Sequence, residues 1–324
     1  MAENQLNYSE QYSPELFETI IQNTLSSPFI TTNVRWLGAR SFHFSTLETS
    51  GFKNHNRNGG WNKGTVKTTD IVYTLEHDRD IQFLIDVADV DETNQVTSIQ
   101  NISNRFERVN VAPEMDATFF EKIATEAKKV NLVSETALSS YTAKNVYSKI
   151  LAIMSKGKLK AYRQRGSLVL FIRSEIMDLL EQASDFTRTI EVTTLAEGTG
   201  IETRVTKING VPLFEVADET RFYNKFNYDV EEGGFEPVKK VSSDPGPAVE
   251  GSKQINILAA SLETVKLVPK INSIYVFNPG VHTEGDGYLY QNRQLWDTIV
   301  KPNGLDGKVD SIFVDLDTEE YTEE

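Results

Sequence analysis

Apolar residues alternate with polar ones along much of the first third of the chain, a period that predicts paired β-strands. The alternating positions are Val34, Trp36, Phe42 and Phe44, then Ile71, Tyr73 and Leu75, and finally Ile81, Phe83, Ile85 and Val87. Gly38 interrupts the first run as a bulge or a twist would. Residues 50–70, between the runs, are rich in Gly and Asn, which favour turns. We therefore predict an extended two-stranded arm over residues 33–87.

A helical period follows over about residues 93–128 and predicts a long helix with one apolar stripe. The stripe consists of Ile99, Ile102, Phe106, Val109, Phe120, Ile123 and Ala127. Thr97 and Gln100 have the spacing of a capping box. Pro113 removes one backbone donor, so we expect a kink or a break between Val109 and Ala112. Because an isolated hairpin is marginal in water and a striped helix needs a surface to pack on, both features predict a subunit that is completed by its neighbours.

Predicted helices and strands alternate in the middle of the chain and indicate a compact α/β unit. A helix is predicted from about Ala143 to Met154, a basic connector from Lys156 to Arg165, and a buried strand in the sequence SLVLFIR. The short helix SEIMDLLEQA comes next, with Ser174 as its N-cap. Further strands are predicted at residues 189–194, 203–208, 212–216, 255–259 and 273–277. The dipeptide Asn209-Gly210 predicts a tight hairpin turn.

A long loop and the two chain ends complete the predicted organisation. Residues 231–252 are rich in Gly and Pro and form the loop. The first 30 residues show a short helical pattern that stops at Pro28, and we predict a mobile arm there. Two strands, over residues 287–300 and 308–317, are joined by the turn KPNGLDG at the C-terminal end.

Composition places the chain among globular proteins that bury a sizeable core. It has 324 residues, of which 39% are hydrophobic and 25% are charged. No run of about eighteen apolar residues occurs, and the N-terminal sequence MAENQLNYSEQY lacks the features of a secretory signal. We therefore expect a soluble intracellular protein. The lack of cysteine excludes disulfides, thiolate metal sites and cysteine nucleophiles.

Charge is unevenly distributed along the chain. The net charge of −14 argues against wrapping nucleic acid, because proteins that neutralise phosphates carry an excess of Lys and Arg. The tail from Asp315 to Glu324 contains acids and no base, whereas the arm tip is basic and presents Trp61 among Asn and Gly. The predicted contact residues of the tip are Lys53, Arg57, Trp61, Lys63 and Lys67. A basic tip on an acidic body suits contact with a neighbouring copy; the alternative is that both regions are merely solvated.

The four histidines do not have the pattern of a metal site or a catalytic site. His43 and His77 lie on opposite strands of the predicted arm near several carboxylates, but solvated strand residues are the favoured interpretation over a metal site. His55 and His282 lie in Gly-rich loops without ligand spacing. We therefore predict no metal and no cofactor.

Three other segments partly match the pattern of a calcium, nucleotide or nucleic-acid site, and we predict none of these sites. The acidic cluster from Asp86 to Glu92 lacks the central Gly and the distal Glu of a calcium loop, which favours a hinge and a helix cap. Residues 197–201, EGTGI, miss one Gly of a dinucleotide fingerprint, and neither a phosphate-binding loop nor a GxSxG elbow occurs. The basic connector from Lys156 to Arg165 is the strongest nucleic-acid candidate, although an exposed linker is favoured.

The order of these parts resembles the major capsid proteins of tailed double-stranded DNA bacteriophages, the fold called Hong Kong ninety-seven. The segments that carry the resemblance are DVDETNQV, RVNVAPEMDATFFEKIA, SLVLFIRSEIMDLLEQASDFTR and INGVPLFEV, within a shared order from about residue 33 to 317. The resemblance implies an α+β fold with an extended two-stranded loop, a long spine helix in a peripheral domain and an α/β axial domain. The implied units are an N-terminal arm at 1–32, the extended loop at 33–92, the peripheral domain with the spine helix at 93–139, the axial domain at 140–283, and peripheral return strands with the acidic tail at 284–324.

The resemblance also implies a function and partners. The chain would assemble into hexamers and pentamers of an icosahedral shell that encloses packaged double-stranded DNA, first in the host bacterial cytoplasm and then as the virion capsid. No membrane contact is implied, and the acidic charge would let DNA lie close without specific binding. Because only about 30 residues precede the arm, a separate scaffolding protein is expected, together with a portal.

Some capsid proteins of this kind crosslink a loop lysine to a distant asparagine. Lys53, Lys63 and Lys67 lie in the corresponding loop, without an assured partner. Two other interpretations of the whole chain stay open. One is an encapsulin-like nanocompartment shell that packages a cargo enzyme, and the other is an α/β enzyme whose substrate loop is residues 231–252.

Overall fold

The structure is a computed structural model that describes residues 24–32, 34–55, 59, 61–87, 99–183, 206–231, 233–241, 249–281, 285, 287–303 and 307–322. The strands are β1 (Arg35–Trp36), β2 (Ser41–Thr49), β3 (Val66–Thr74), β4 (His77–Asp86), β5 (Val133–Glu135), β6 (Leu168–Arg173), β7 (Thr206–Ile208), β8 (Val211–Val216), β9 (Phe226–Asn227), β10 (Glu236–Pro237), β11 (Lys253–Ser261), β12 (Val265–Phe277), β13 (Gly287–Val300) and β14 (Ile312–Glu320). The α-helices are α1 (Ile99–Phe106), α2 (Ala112–Lys129), α3 (Val146–Met154), α4 (Leu159–Gln164) and α5 (Ser174–Glu181). Short 3₁₀ turns occur at Ser27–Phe29, Leu138–Ser140 and Glu219–Arg221.

Two sheets organise these elements. One has six strands in the order β5-β14-β11-β6-β8-β7, and the other has three in the order β12-β13-β4. The three-stranded sheet is long, since β12 and β13 pair antiparallel from Val265↔Val300 to Phe277↔Leu289. A separate hairpin of β2 and β3, with β1 at its edge, projects from the end of this long sheet.

The six-stranded sheet is covered on both faces, which explains why SLVLFIR reads as one apolar run. In β6, Val169 and Phe171 belong to the core under α2, whereas Leu168, Leu170 and Ile172 belong to the core under α3 and α5. The first of these cores also contains residues of the three-stranded sheet, namely Val265, Leu267, Trp296 and Val300. The two sheets therefore share one apolar interior.

The long helix accommodates Pro113 by means of a widened turn just before it. Residues Glu107–Val111 form a π-helical turn between α1 and α2, in which the N–H of Ala112 donates to the carbonyl of Glu107. Pro113 follows in the first turn of α2. A proline lacks an N–H and clashes with the preceding turn of a regular helix, so the wider turn relieves both problems. The irregularity lies where the sequence predicts it, without a break in the helix, while Thr97 of the proposed capping box lies outside the described residues.

The second half of the predicted arm belongs to another sheet. β2 and β3 do pair as a hairpin, from Ser41↔Thr74 to Thr49↔Val66. β4 instead pairs with β13, from Gly287↔Asp86 to Trp296↔His77, so the prediction that the segment around Ile81 pairs within the arm is wrong. Local alternation specifies a strand but does not identify a partner near the other end of the chain.

Both chain ends also differ from expectation. Residues 24–31 are docked on the body, because Phe29 is fully buried against Phe119, with ring centroids 4.9 Å apart, and the N–H of Thr31 donates to the carbonyl of Leu267. The mobile-arm prediction is thus wrong for this part, and residues 1–23 lie outside the described residues. β13 and β14 are strands as predicted, but they lie in different sheets, so residues 284–324 do not return as one unit.

The basic connector is a packed helix and not a linker. α4 holds Tyr162 in the core, and the flanking Lys158 and Arg165 form ion pairs with Asp310 at 3.0 Å and Glu263 at 2.8 Å. Two of its bases are therefore neutralised internally, and the exposed-linker interpretation is wrong.

The turns and caps around the six-stranded sheet give mixed outcomes. The Ser174 hydroxyl donates to Glu215 and does not cap α5. Asn209 and Gly210 adopt φ of 49° and 81° between β7 and β8, which confirms the predicted tight turn. The predicted strand at 189–194, the EGTGI sequence, His282 and three acids of the 86–92 cluster (Asp89, Asp91 and Glu92) lie outside the described residues.

Candidate assembly surfaces

The root of the β2–β3 hairpin is fixed to the body of the chain. Phe42 is fully buried there, and Lys270 donates to the carbonyl of Gly38 at 2.6 Å while its ammonium lies 3.9 Å from the ring centre of Trp36. The buried residues around Phe42 are Leu75, Val268, Leu295 and Ile299. Aromatic and aliphatic packing therefore sets the direction in which the hairpin leaves the body.

Burial decreases from this root to the tip. Leu47 and Val66, near the distal ends of the two strands, are 59% and 70% exposed, and Phe52 and Trp61 at the tip are 110% and 95% exposed. Nine residues per strand give a reach of about 30 Å. The hairpin thus presents large apolar side chains to solvent at a distance from its own core.

The structure brings most of the predicted contact residues to this tip. Lys53, Trp61, Lys63 and Lys67 are all exposed, and Arg57 lies outside the described residues. The ammonium of Lys53 lies 3.4 Å from the carbonyl of Lys63, and the side-chain amide of Asn62 donates to the carbonyl of Asn54 at 2.9 Å. These bonds hold the two sides of the tip together.

The first residues of the predicted acidic tail are internal. Asp315 is buried and accepts hydrogen bonds from the Tyr141 hydroxyl and from Thr136, each at 2.7 Å, and Asp317 is buried 3.2 Å from Arg173. The prediction that this segment is a solvated or partner-facing tail is therefore wrong for these two residues. Burial, followed by the hydrogen bond to Asp315, raises the pKa of Tyr141.

Buried acids on the long helix fasten other segments to it. Asp116 is fully buried and accepts hydrogen bonds from the backbone N–H groups of Leu25 and Ser26, both at 3.0 Å. Arg221 donates to the same carboxylate at 3.0 Å. Burial raises the pKa of Asp116 despite this cation. One carboxylate thus joins the N-terminal segment, α2 and the 3₁₀ turn at Glu219–Arg221.

Glu107 makes a similar connection to the long sheet. It is fully buried in the π-helical turn and accepts hydrogen bonds from Asn292, from the Tyr290 hydroxyl at 3.2 Å and from Gln294 at 3.4 Å. Burial raises the pKa of Glu107 to about 7, although these three donors oppose the shift. All three donors are neutral.

His77 lies in a polar network and not on a solvated arm. Its side chain is 10% exposed, its Nε2 lies 2.9 Å from Glu114, and Arg79 contacts the same carboxylate at 2.8 Å. Arg79 also donates to the carbonyls of Tyr228 and Gly234. His43 pairs with Val72 and His77 with Trp296, so the two histidines are not neighbours and the solvated interpretation of His77 is wrong.

A cleft of about 330 Å³ lies beside this network, between β4, β13 and the π-helical turn. Its apolar lining comes from Ile81, Phe83, Phe106 and Val111. Asp80 and Asn110 lie at its exposed rim, and the backbone of Gly233 and Gly234 forms part of the opposite wall. Both glycines have positive φ, 82° and 84°, which other residues rarely adopt.

Sequence reasoning missed these buried acids, although one signal was present. Glu107, Glu114 and Glu121 recur every seven residues, and this spacing places them along one side of a helix. Glu121 is also largely buried and accepts hydrogen bonds from the Tyr228 hydroxyl at 2.8 Å and from the N–H of Phe226, and burial raises its pKa.

Among the described residues, no group of His, Asp and Glu has the arrangement of a metal site. No helix in the described ranges has the length and apolarity needed to cross a bilayer.

Solved phage structures share this architecture. The mature capsid of bacteriophage PhiM1 matches with a TM-score of 0.57 and 14% identity over 92% of this chain and 88% of that chain. The capsid of cyanophage P-SCSP1u matches with a TM-score of 0.56 and 13% identity over 92% and 89% of the two chains. A structure from Mycobacterium phage Bobi gives 0.55 and 12% over 93% and 91%. No family model and no curated protein matches the sequence.

At these identities the likeness establishes the fold. The hairpin, the long helix, the long sheet and the helix-covered mixed sheet of this chain form the fold seen in those phage capsids, which confirms the predicted fold class.

Proposed function

Because this chain has the phage capsid fold, we propose that it is a major capsid protein that assembles with copies of itself into an icosahedral shell. The observation that carries the proposal is the hairpin, whose root is buried around Phe42 while Phe52 and Trp61 at its tip are almost fully exposed. Exposed aromatic residues at the end of a fixed limb are typical of an anchor for a partner. Many such contacts around a closed shell add up, so each one needs only modest affinity.

The finer parts of the proposal follow from the family resemblance. We propose hexamers and pentamers as the building units, packaged double-stranded DNA inside the shell without specific binding, a separate scaffolding protein and a portal. Assembly takes place in the host bacterial cytoplasm, and the chain performs no catalysis. The net charge of −14 supports weak affinity for DNA.

The proposed domains follow the sheet pairing. The extended loop comprises residues 33–92 without β4, and the peripheral domain combines the long helix with β4, β12 and β13. The axial domain comprises the six-stranded sheet with α3, α4 and α5, so it includes β14 and excludes β12. The division implied by the resemblance therefore changes at four strands, which are β4, β5, β12 and β14.

Electron microscopy of the purified chain, with sedimentation in parallel, tests the proposed function. Closed shells or ring-shaped capsomers are expected, and their proportion increases with protein concentration. Small particles of one mass at every concentration contradict the proposal and favour the α/β enzyme. Shells that copurify with an enzyme cargo point to a nanocompartment.

A further inference from the structure

The cleft between β4, β13 and the π-helical turn has two polar groups in its lining that are buried and unpaired. Asn292 and Trp296 both line it and are only 4% and 3% exposed. The side-chain carbonyl of Asn292 and the indole N–H of Trp296 form no hydrogen bond with any described residue. Buried polar groups of native proteins are nearly always hydrogen-bonded, because an unpaired one lowers stability. One unpaired acceptor and one unpaired donor in the same lining therefore indicate a site for a ligand.

The charges in the lining are balanced, which favours an uncharged ligand. Arg79 contacts the carboxylate of Glu114 at 2.8 Å and donates to two backbone carbonyls. Asp80 lies opposite Arg293 in the pairing of β4 with β13. Each charged side chain of the described lining thus has an opposite charge beside it. An ion that entered the cleft would lose hydration without gaining a free counter-charge.

Four apolar side chains also line the cleft and favour an aromatic ligand. Ile81 and Phe83 belong to β4, Phe106 ends α1, and Val111 ends the π-helical turn. The rings of Phe83 and Phe106 meet edge to face, with their centroids 5.4 Å apart. The volume of about 330 Å³ lies within the range of small-ligand pockets. A flat aromatic body gains contact area and favourable ring geometry against such a wall.

The spacing of the two unpaired groups limits the shape of the ligand. Asn292 and Trp296 are four residues apart on β13, so their side chains lie on one face of the strand. Their Cα atoms are about 13 Å apart at the usual rise of a strand. One compact polar group does not span this distance. An elongated molecule with a polar group at each end does.

We propose that this cleft binds a small, uncharged, elongated molecule with an aromatic body. A carbonyl at one end of the ligand accepts from the indole N–H of Trp296, and a hydroxyl or N–H at the other end donates to the side-chain carbonyl of Asn292. The ligand contacts the long sheet, the long helix and the backbone of Gly233 and Gly234, so it connects three separate segments. This site goes beyond the proposed function and does not depend on assembly.

Saturation-transfer NMR with para-acetamidophenol tests the site, because this probe carries a carbonyl and a hydroxyl at opposite ends of one ring. The measurement works on shells, capsomers or single chains, so its outcome is separate from that of the assembly experiment. Saturable binding to the wild-type protein is expected. Acetanilide lacks the hydroxyl and should bind about fivefold more weakly, which corresponds to one neutral hydrogen bond. A lack of saturable binding of para-acetamidophenol overturns the proposal and leaves water as the occupant of the cleft.

A pair of tryptophan variants shows whether the probe binds in this cleft. Asn110→Trp places an indole at the exposed rim of the cleft and should abolish the saturable binding. Arg108→Trp lies exposed in the same π-helical turn, outside the described lining, and should bind the probe like the wild-type protein. Circular dichroism establishes that both variants are folded. Equal binding by the two variants contradicts the site.

The proposed hydrogen bond has its own test. Trp296→Phe keeps an aromatic ring and removes the N–H, so the affinity for para-acetamidophenol should fall about fivefold. An unchanged affinity overturns the role assigned to the indole. Thermal unfolding gives a second readout that does not need this buried substitution, because a bound ligand raises the Tm by mass action. The Tm should increase with probe concentration in Arg108→Trp and stay constant in Asn110→Trp, and equal shifts in both contradict the site.

Discussion

The side-chain amide of Asn292 donates a hydrogen bond of 2.5 Å to Oε1 of Glu107 and thereby ties β13 to the π-helical turn. Glu107 has no cation among its described hydrogen-bonding partners, and burial raises its pKa to about 7 from an ordinary value of 4.5. The native state therefore keeps a proton on this carboxyl that the unfolded chain releases at lower pH. Proton uptake and folding are linked through this one group.

We predict that the free energy of unfolding decreases as the pH rises from about 4.5 through about 7, by roughly 3 kcal/mol from this group. Burial also raises the pKa of Asp116, Glu121 and Asp297. These three groups therefore also lower the free energy of unfolding as the pH rises. Urea unfolding of the purified protein across this range measures the slope. Glu107→Gln flattens it, whereas Glu231→Gln, on the surface, leaves it unchanged; an unchanged slope in Glu107→Gln contradicts the assignment.

Replacing Asp116 by Asn should destabilise the protein by about 3–5 kcal/mol, because Arg221 loses its fully buried carboxylate. The Asn amide cannot accept from both Leu25 and Ser26, so the N-terminal segment detaches first. Hydrogen exchange at these two amides should accelerate more than exchange in β6. Asp218→Asn, which removes a more exposed partner of the same Arg221, is the control and should have a small effect.

The root and the distal part of the hairpin should respond oppositely to truncation. Phe42→Ala removes a fully buried ring and should cost about 3–5 kcal/mol in the unassembled chain. Leu47→Ala removes an exposed side chain and should change stability by less than about 0.5 kcal/mol. Chemical denaturation of both variants checks the contrast. Equal losses would mean that the distal hairpin folds back onto its own chain.

Tyr141→Phe should lower the free energy of unfolding by about 1.5–3 kcal/mol, because it removes a buried hydrogen bond to the carboxylate of Asp315. Tyr275→Phe, at a half-exposed position, serves as the matched control and should be nearly neutral. Thermal unfolding of the two variants under one buffer condition makes the comparison. A neutral Tyr141→Phe would show that Asp315 is satisfied by its other donors alone.

Local patterns in the sequence identified most elements correctly. The run SLVLFIR became a fully buried strand because helices cover both faces of its sheet, and Asn209-Gly210 adopted the positive φ angles that its composition favours. The irregularity at Pro113 followed from the chemistry of one residue. These features depend on neighbours in sequence, and such neighbours are visible in a single chain.

Partners distant in sequence were not predictable in this way. β4 looked like part of the arm because alternation carries no information about register with β13. Asp315 and Asp317 looked like a solvated tail because their partners Tyr141 and Arg173 lie far back in the chain. The tip residues were identified from exposure and charge, whereas the cleft along β4 depends on tertiary structure alone.

Near its end the chain passes from the six-stranded sheet to the long three-stranded sheet between β11 and β12, and back between β13 and β14, and both of these sheets contribute to one core. Sliding one sheet over the other would stretch two covalent links and open that core together. Each copy therefore behaves as a stiff plate. In the proposed shell, a wall made of such plates should yield to internal pressure by tilting at its seams, so mechanical fatigue should begin between copies and not within them.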